Sequence, residues 1–217
     1  MDFSTMLIQL SEGFLVTLQI FACTLVGALP FGIVVALCRM SKVSVISFIA
    51  RIYISIMRGT PLMLQLMFIY FAPFYVFGLQ LSTEWKFGAC VTAFVLNYSA
   101  YFAEIYRSGI QSIPVGQYEA ASVLGYSRAQ TFLKIVLPQV IKRIIPAMGN
   151  EIIVLVKDTS LAFTIGVAEI FTTAKAIVSS QGVLTAFIVA AVFYWVFTFV
   201  VEALIARIER RLSYYHD

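Results

Sequence analysis

Charge is what this sequence has least of. Asp, Glu, Lys and Arg make up only 12% of its 217 residues, against 61% hydrophobic residues and a mean hydropathy of +0.93. A soluble domain carries about 25% charged residues, so the chain has too little charge to cover a water-facing surface. The surplus apolar surface must face lipid, which excludes an ordinary soluble enzyme or adaptor. Histidine is nearly missing, and the lone His216 beside the C-terminus argues against a histidine-based metal centre or active site. Only three cysteines occur, Cys23, Cys38 and Cys90, each within or beside an apolar run. They fit no paired spacing for metal or redox work and are read as packing residues. Neither Lys nor Arg precedes Arg39, whereas Asp2 and Glu12 do; a secretory signal peptide carries the opposite charge. The phosphate-binding run G-x-x-x-x-G-K-[ST] is also missing, so the chain has no ATP-hydrolysing site of its own.

What is present is a series of long apolar runs. A bilayer core of about 30 Å needs about 20 mostly apolar residues as helix. Five segments qualify, roughly 14–38, 60–77, 87–105, 147–165 and 183–205. The second can begin before Thr60, because 47–57 is also largely apolar. Pro30 and Pro73 lie inside spans and predict kinks, which neighbouring helices can accommodate. The fourth run is interrupted by Glu151, Lys157 and Asp158. The expected fold is therefore all-α, a single polytopic membrane bundle over 1–217 with five transmembrane helices. Basic residues then set its orientation. Twelve Lys and Arg lie on one side of these spans, in the first and third connections and the C-terminal tail, against Lys86 and Lys175 on the other. By the positive-inside rule the N-terminus is outside and the C-terminus cytoplasmic. The net charge of +4 is thus a topology signal, and nucleic acid is not an expected partner.

The connection 107–146 is the only polar piece large enough to meet a partner. Ser112-Ile113-Pro114 offers a helix start, and 117–124 reads as a short helix that Gly125 can end. Ser127 to Gln130 matches a capping box opening a second helix toward Pro138. Ala120 and Ala121 give the first helix a shallow surface for close approach. Leu124, Phe132, Leu133 and Val136 supply apolar anchors. From these residues alone, an elbow packed on its own bundle and a docking site for a partner are equally compatible.

Glu119-Ala120-Ala121, three residues, Gly125, nine residues, Ile135, one residue and Leu137-Pro138 match every defined position of the "EAA" signature. The chain thereby resembles the permeases of ATP-binding-cassette (ABC) importers. Arg58-Gly59-Thr60-Pro61, Ala103-Glu104-Ile105 with Arg107, 109–114, Gly116-Gln117, Leu137-Pro138-Gln139 and Lys157-Asp158-Thr159-Ser160-Leu161 look like the polar amino-acid subgroup. Glu151 departs from it, since that position is often apolar or small. The resemblance implies a coupling-helix elbow in which Glu119 anchors the loop by polar contacts, the two alanines permit close approach and Gly125 makes the bend. It implies two separate ATPase subunits that bind ATP and magnesium, a second permease subunit and an extracytoplasmic solute-binding protein. The substrate would be a polar amino acid, the location a prokaryotic inner or plasma membrane, and this chain would hold no cofactor.

Ionisable groups within a span cost about 2.5–3.5 kcal/mol each on insertion scales and face a cavity or a partner. Glu151 and Asp158 are seven residues apart and share a helix face; Asn97, Tyr101 and Glu104 share one on the third span. Two such stripes can line a polar path, and their carboxylates suit an ammonium or guanidinium group. Against this, Glu104 can pair with Arg107 three residues on, and Lys157 with an acid on another helix. Lys157, Thr159 and Ser160 are assigned a gating or structural role. Gln65 is expected to bond between helices. Gly88, Ala89, Ala93 and Ala100 suggest a close-packing face for a second subunit on the third span. An ion-coupled secondary transporter, a non-transport scaffold and a membrane enzyme are the rival readings. The first needs no elbow and more than five spans, the second gives no use for charges inside a span, and the third lacks a nucleophile motif.

Overall fold

A computed structural model describes residues 2–212, and the described residues form helices and no strand. His216 lies outside the described residues. The first helix, α1 (Phe3–Arg39), is 37 residues long. It starts upstream of the expected run because the Asp2 carboxylate caps Phe3 N and Ser4 Oγ, and because Met6 and Leu10 are buried against two later helices. Glu12 stays on the exposed face. Next come α2 (Ser44–Gly59) and α3 (Leu62–Phe77), bent by 110° at Thr60-Pro61. The residue before proline is pushed out of helical geometry, and Thr60 is extended at φ −122°, ψ 147°. The expected second span, 60–77, is thus the single helix α3, and the apolar stretch upstream belongs to a separate helix, α2.

The helix α4 (Thr83–Gln111) is the centre of the molecule. Ala89, Cys90, Ala93, Phe94, Ala100, Phe102 and Ala103 are completely buried on it. α1 crosses α4 so closely that a Cβ on Gly32 would lie 3.0 Å from Phe102 Cβ and 3.2 Å from the Ser99 carbonyl oxygen. The small residues expected to face a second subunit therefore face α1 and other helices of the same chain. Ala89, Ala93 and Ala100 are each 0% exposed, which corrects that expectation. Two helices, α1 and Thr185–Leu212, are long and apolar enough to cross a membrane alone, and two bent helix pairs are so jointly, whereas α4 carries polar residues along its buried faces. A helix surrounded by protein can carry Asn97, Tyr98 and Ser99 without exposing them to lipid.

Beyond α4 the chain forms α5 (Val115–Val123), α6 (Arg128–Thr131), a π-helical turn (Phe132–Val136) and α7 (Leu137–Asp158). The expected fourth span is not one α-helix. After Asp158 it tightens into a 3₁₀ segment (Thr159–Ile165), where Thr159 Oγ1, Ser160 Oγ and Thr164 Oγ1 each donate to a carbonyl three residues back. Gly166, at φ +72°, ends it. The helix α8 (Ile170–Gln181) follows, in a stretch that the sequence left unassigned, and α9 (Thr185–Leu212) is the last described element.

Candidate functional site

Two regions carry the residues singled out in the sequence. In the elbow, α5 ends in a Schellman turn: Tyr126 N donates to the Ala121 carbonyl and Gly125 N to that of Ser122, both at 3.0 Å. Gly125 sits at φ +79°, a left-handed conformation that glycine adopts without a Cβ penalty. Ser127 then opens α6 with a complete capping box, Gln130 N donating to Ser127 Oγ and Ser127 N to Gln130 Oε1. Glu119 and Ala120 are exposed, whereas Ala121 is buried in the turn. Val123 and Leu124 are 88% and 73% exposed and Leu133 is 60% exposed, so the elbow presents an apolar edge. Val136 does not belong to that edge; it is buried with Ile113 and Val140.

The second region surrounds the middle of α4. Tyr98 donates its hydroxyl to Asp158 Oδ2 at 2.7 Å. Asn97, 5% exposed, donates its amide to the Met57 carbonyl and to Gln65 Oε1, each at 3.0 Å. Gln65 donates in turn to Met57 O, Thr60 O and Thr60 Oγ1 at 2.8–3.1 Å. These bonds take up the carbonyls that the break between α2 and α3 leaves free, since an unpaired carbonyl there would be costly. The Arg58 guanidinium lies 5.3 Å from the Tyr101 ring centroid and within electrostatic reach of half-buried Glu151. Glu151 and Asp158 stand seven residues apart on α7. The cluster therefore joins two carboxylates, a guanidinium and two phenols, a set able to receive an ammonium group with charge-assisted bonds.

Glu104 is engaged elsewhere. Arg107 grips it with Nη2 to Oε2 at 2.6 Å and Nε to Oε1 at 3.0 Å, and also donates to Gln111. Lys157 is exposed and Thr159 fully buried. Sequence reasoning missed Tyr98, whose only signal was its place beside Asn97, and treated Arg58 as a topology charge and motif residue alone. It also missed Glu169, which is 0% exposed. Glu169 caps α8, accepting from Phe171 N, Thr172 N, Thr172 Oγ1 and the Tyr194 hydroxyl. Thr17 Oγ1 accepts from Ile170 N, so the N-terminus of α8 is satisfied from within.

The described residues thus form a helical bundle that keeps hydrogen-bonded ionisable groups between apolar helices and carries an exposed helical elbow. The family of binding-protein-dependent transport system inner membrane components matches residues 28–214. The chain belongs to that family. It is 38% identical over 208 residues, 95% of its length and 87% of the relative's, to the L-cystine transport system permease protein of Bacillus subtilis. It is 36% identical to the arginine transport system permease protein of the same species over 98% of both chains. Against the glutamine transport system permease protein of Escherichia coli the identity is 37%, over 94% of this chain and 93% of that one. Among solved structures, an amino acid ABC transporter crystallised with histidines superposes with a TM-score of 0.86 at 36% identity, covering 97% of this chain and 99% of the other. The inward-facing MetNI methionine ABC transporter shares the fold at a TM-score of 0.73 and 18% identity.

Proposed function

We propose that this chain is the membrane-spanning permease subunit of an ABC importer that carries a polar amino acid into the cell. Its relatives bear the names of cystine, arginine and glutamine permeases, and one family spans most of its length. It is not itself an ATPase; separate subunits bind ATP and magnesium and hydrolyse the nucleotide. The observation that carries the reading is the signature from Glu119 to Pro138, folded as an exposed elbow with Gly125 left-handed in a chain of this family. A secondary transporter has no use for such an elbow.

In this reading five crossings run through α1, the α2–α3 pair, α4, α7 with its 3₁₀ extension, and α9. The N-terminus is outside and the C-terminus cytoplasmic, as the basic residues favour. Two such subunits pair, two ATPase subunits bind their elbows, and a solute-binding protein delivers substrate from outside. Ala120, Val123 and Leu124 enter a cleft of the ATPase, Glu119 adds polar contacts, and Gly125 sets the bend. Glu151 and Asp158 line the substrate path with Asn97 and Glu104 nearby. Asp158 receives the substrate ammonium when Tyr98 releases it, and Glu151 favours a positive side chain. Lys157, Thr159 and Ser160 shape the end of α7 next to Asp158.

The test is uptake of labelled arginine, cystine and glutamine by liposomes holding the chain with its cognate ATPase and solute-binding protein. Uptake that requires enclosed ATP is expected. Uptake without ATP, driven by a proton or sodium gradient, would refute the importer.

A further inference from the structure

The elbow joins the bundle through two interruptions of the backbone. On its incoming side α4 ends at Gln111, and Ser112, Ile113 and Pro114 intervene before α5. On its outgoing side the π-helical turn Phe132–Val136 precedes α7, and Pro138 stands in the first turn of α7. A proline gives no N–H to the helix ladder, and a π turn widens it. If the backbone alone carried a push from the elbow, the chain would bend at these points before α4 or α7 moved.

Side chains bridge both interruptions at one level. Arg143 of α7 donates through Nη1 to the Ser112 carbonyl and, at 3.1 Å, to Ser112 Oγ. Ser112 Oγ is itself held, donating to the Gly109 carbonyl at 2.7 Å. The Ser112 carbonyl belongs to the C-terminal end of α4, where unpaired carbonyls concentrate negative partial charge and a guanidinium is the fitting partner. Beside the pair, buried Ile113, Val136 and Val140 pack with Ile110 and Ile144, filling the space between the two arms. The helices also interlock here: a Cβ on Gly109 would overlap Ile144 Cγ2, so a side chain fits only if Ile144 gives way. A cavity of about 310 Å³ lies next to this contact, lined in part by Ser108, Ser112, Arg143 and Ile144. Arg143 and Ser112 thus meet at the wall of that cavity, beside the apolar packing.

We propose that Arg143 is a positioning residue for coupling, clamping the base of the elbow so that α4, the elbow and α7 move as one lever. The inference rests on the reading of the chain as an ATP-driven importer whose elbow meets the ATPase. Its consequence is directional. Glu151 and Asp158 lie on the same helix as Arg143, so motion delivered at the clamp reaches both carboxylates without crossing the π turn, with Pro146 the one proline between them.

The test compares wild type, Arg143→Gln and Arg143→Lys as complete complexes in liposomes with the cognate solute-binding protein. Uptake of labelled arginine, cystine and glutamine is read with ATP hydrolysis in the same vesicles. Arg143→Gln is expected to keep its ATPase subunits on purification and to hydrolyse ATP at the basal rate. Uptake per ATP hydrolysed should fall about two- to fivefold, because the bond is solvent-exposed and exposed charged contacts contribute less than buried ones, and Arg143→Lys should recover part of it. Unchanged uptake per ATP in Arg143→Gln would overturn the clamp, and so would loss of the ATPase subunits, which would make Arg143 a docking or folding residue. A second pair guards against misfolding. Gly109→Ala should wedge α4 from α7 and lower uptake per ATP, and adding Ile144→Ala should restore it; no restoration would overturn the interlock. An inactive wild-type complex would fail the importer reading itself, whereas an active wild type beside an equally coupled Arg143→Gln fails only the clamp.

Discussion

The elbow and the polar cluster around α4 hold their shapes by opposite means. The elbow is made of local rules: a Schellman turn at Gly125, a capping box at Ser127 and two short helices, with apolar side chains left facing outward. The cluster is made of distant partners, such as Tyr98 with Asp158 across 60 residues and Asn97 with Met57 across 40. Tyr98, Asn97 and Gln65 are buried and bonded within it, while Arg58 and half-buried Glu151 lie at its edge. The difference teaches which region is built to wait for a partner. An outward apolar edge is finished by a second protein, whereas a saturated polar cluster must break a bond of its own before it takes a ligand.

The largest effect is expected where the elbow depends on one backbone conformation. Gly125→Val puts a β-branched residue at φ +79°, a strain of roughly 1–3 kcal/mol in a turn with no spare contacts. The subunit should insert and fold, because the bundle does not depend on the turn, but should lose its ATPase on purification. Normal co-purification with normal substrate-driven hydrolysis would erase the contrast between the regions.

A selective effect is expected in the cluster. Glu151→Gln keeps the size and hydrogen bonding of the side chain and removes its charge. Loss of a charge-assisted bond of about 1.5–3 kcal/mol weakens a site roughly 10- to 150-fold. Uptake of arginine, lysine or histidine should fall by that order, while a neutral amino acid is spared. Equal uptake of all substrates in a well-expressed variant would remove Glu151 from the path.

A smaller effect, on stability alone, is expected at the missed acid. Glu169→Gln retains some caps of α8 but gives up charge-assisted bonds to Phe171 N and Thr172. The purified complex should melt at lower temperature, with a loss of about 1–3 kcal/mol. Its substrate preference should match wild type, and an altered preference would move Glu169 from the framework into the path.

These regions also differ in how far the sequence reveals them. The elbow was legible because Pro114, Gly125, Ser127 and Gln130 act on residues within a few positions, and they folded as their chemistry directs. Long apolar stretches likewise announced α1 and α9. The break at Thr60-Pro61 was half legible: the proline was visible, but the need for Asn97 and Gln65 to fill the freed carbonyls was not. The small residues of α4 misled because the face that buries them is chosen by α1, which no periodicity in α4 identifies. α8 was only half hidden: Glu169 caps it locally, whereas Thr17, which takes the Ile170 N–H, lies 153 residues away. Glu104 was readable as half of an i,i+3 pair with Arg107, and that local pair is the one that forms.

The central claim is that the elbow meets the ATPase while the α3–α4 connection faces the other side of the membrane. The direct measurement is thiol cross-linking in a background with Cys23, Cys38 and Cys90 replaced. Ala120→Cys should cross-link to the ATPase subunit in the assembled complex, and Gln80→Cys should not, reacting instead with a membrane-impermeant reagent from outside. A cross-link from Gln80→Cys to the ATPase, with none from Ala120→Cys, would contradict the account.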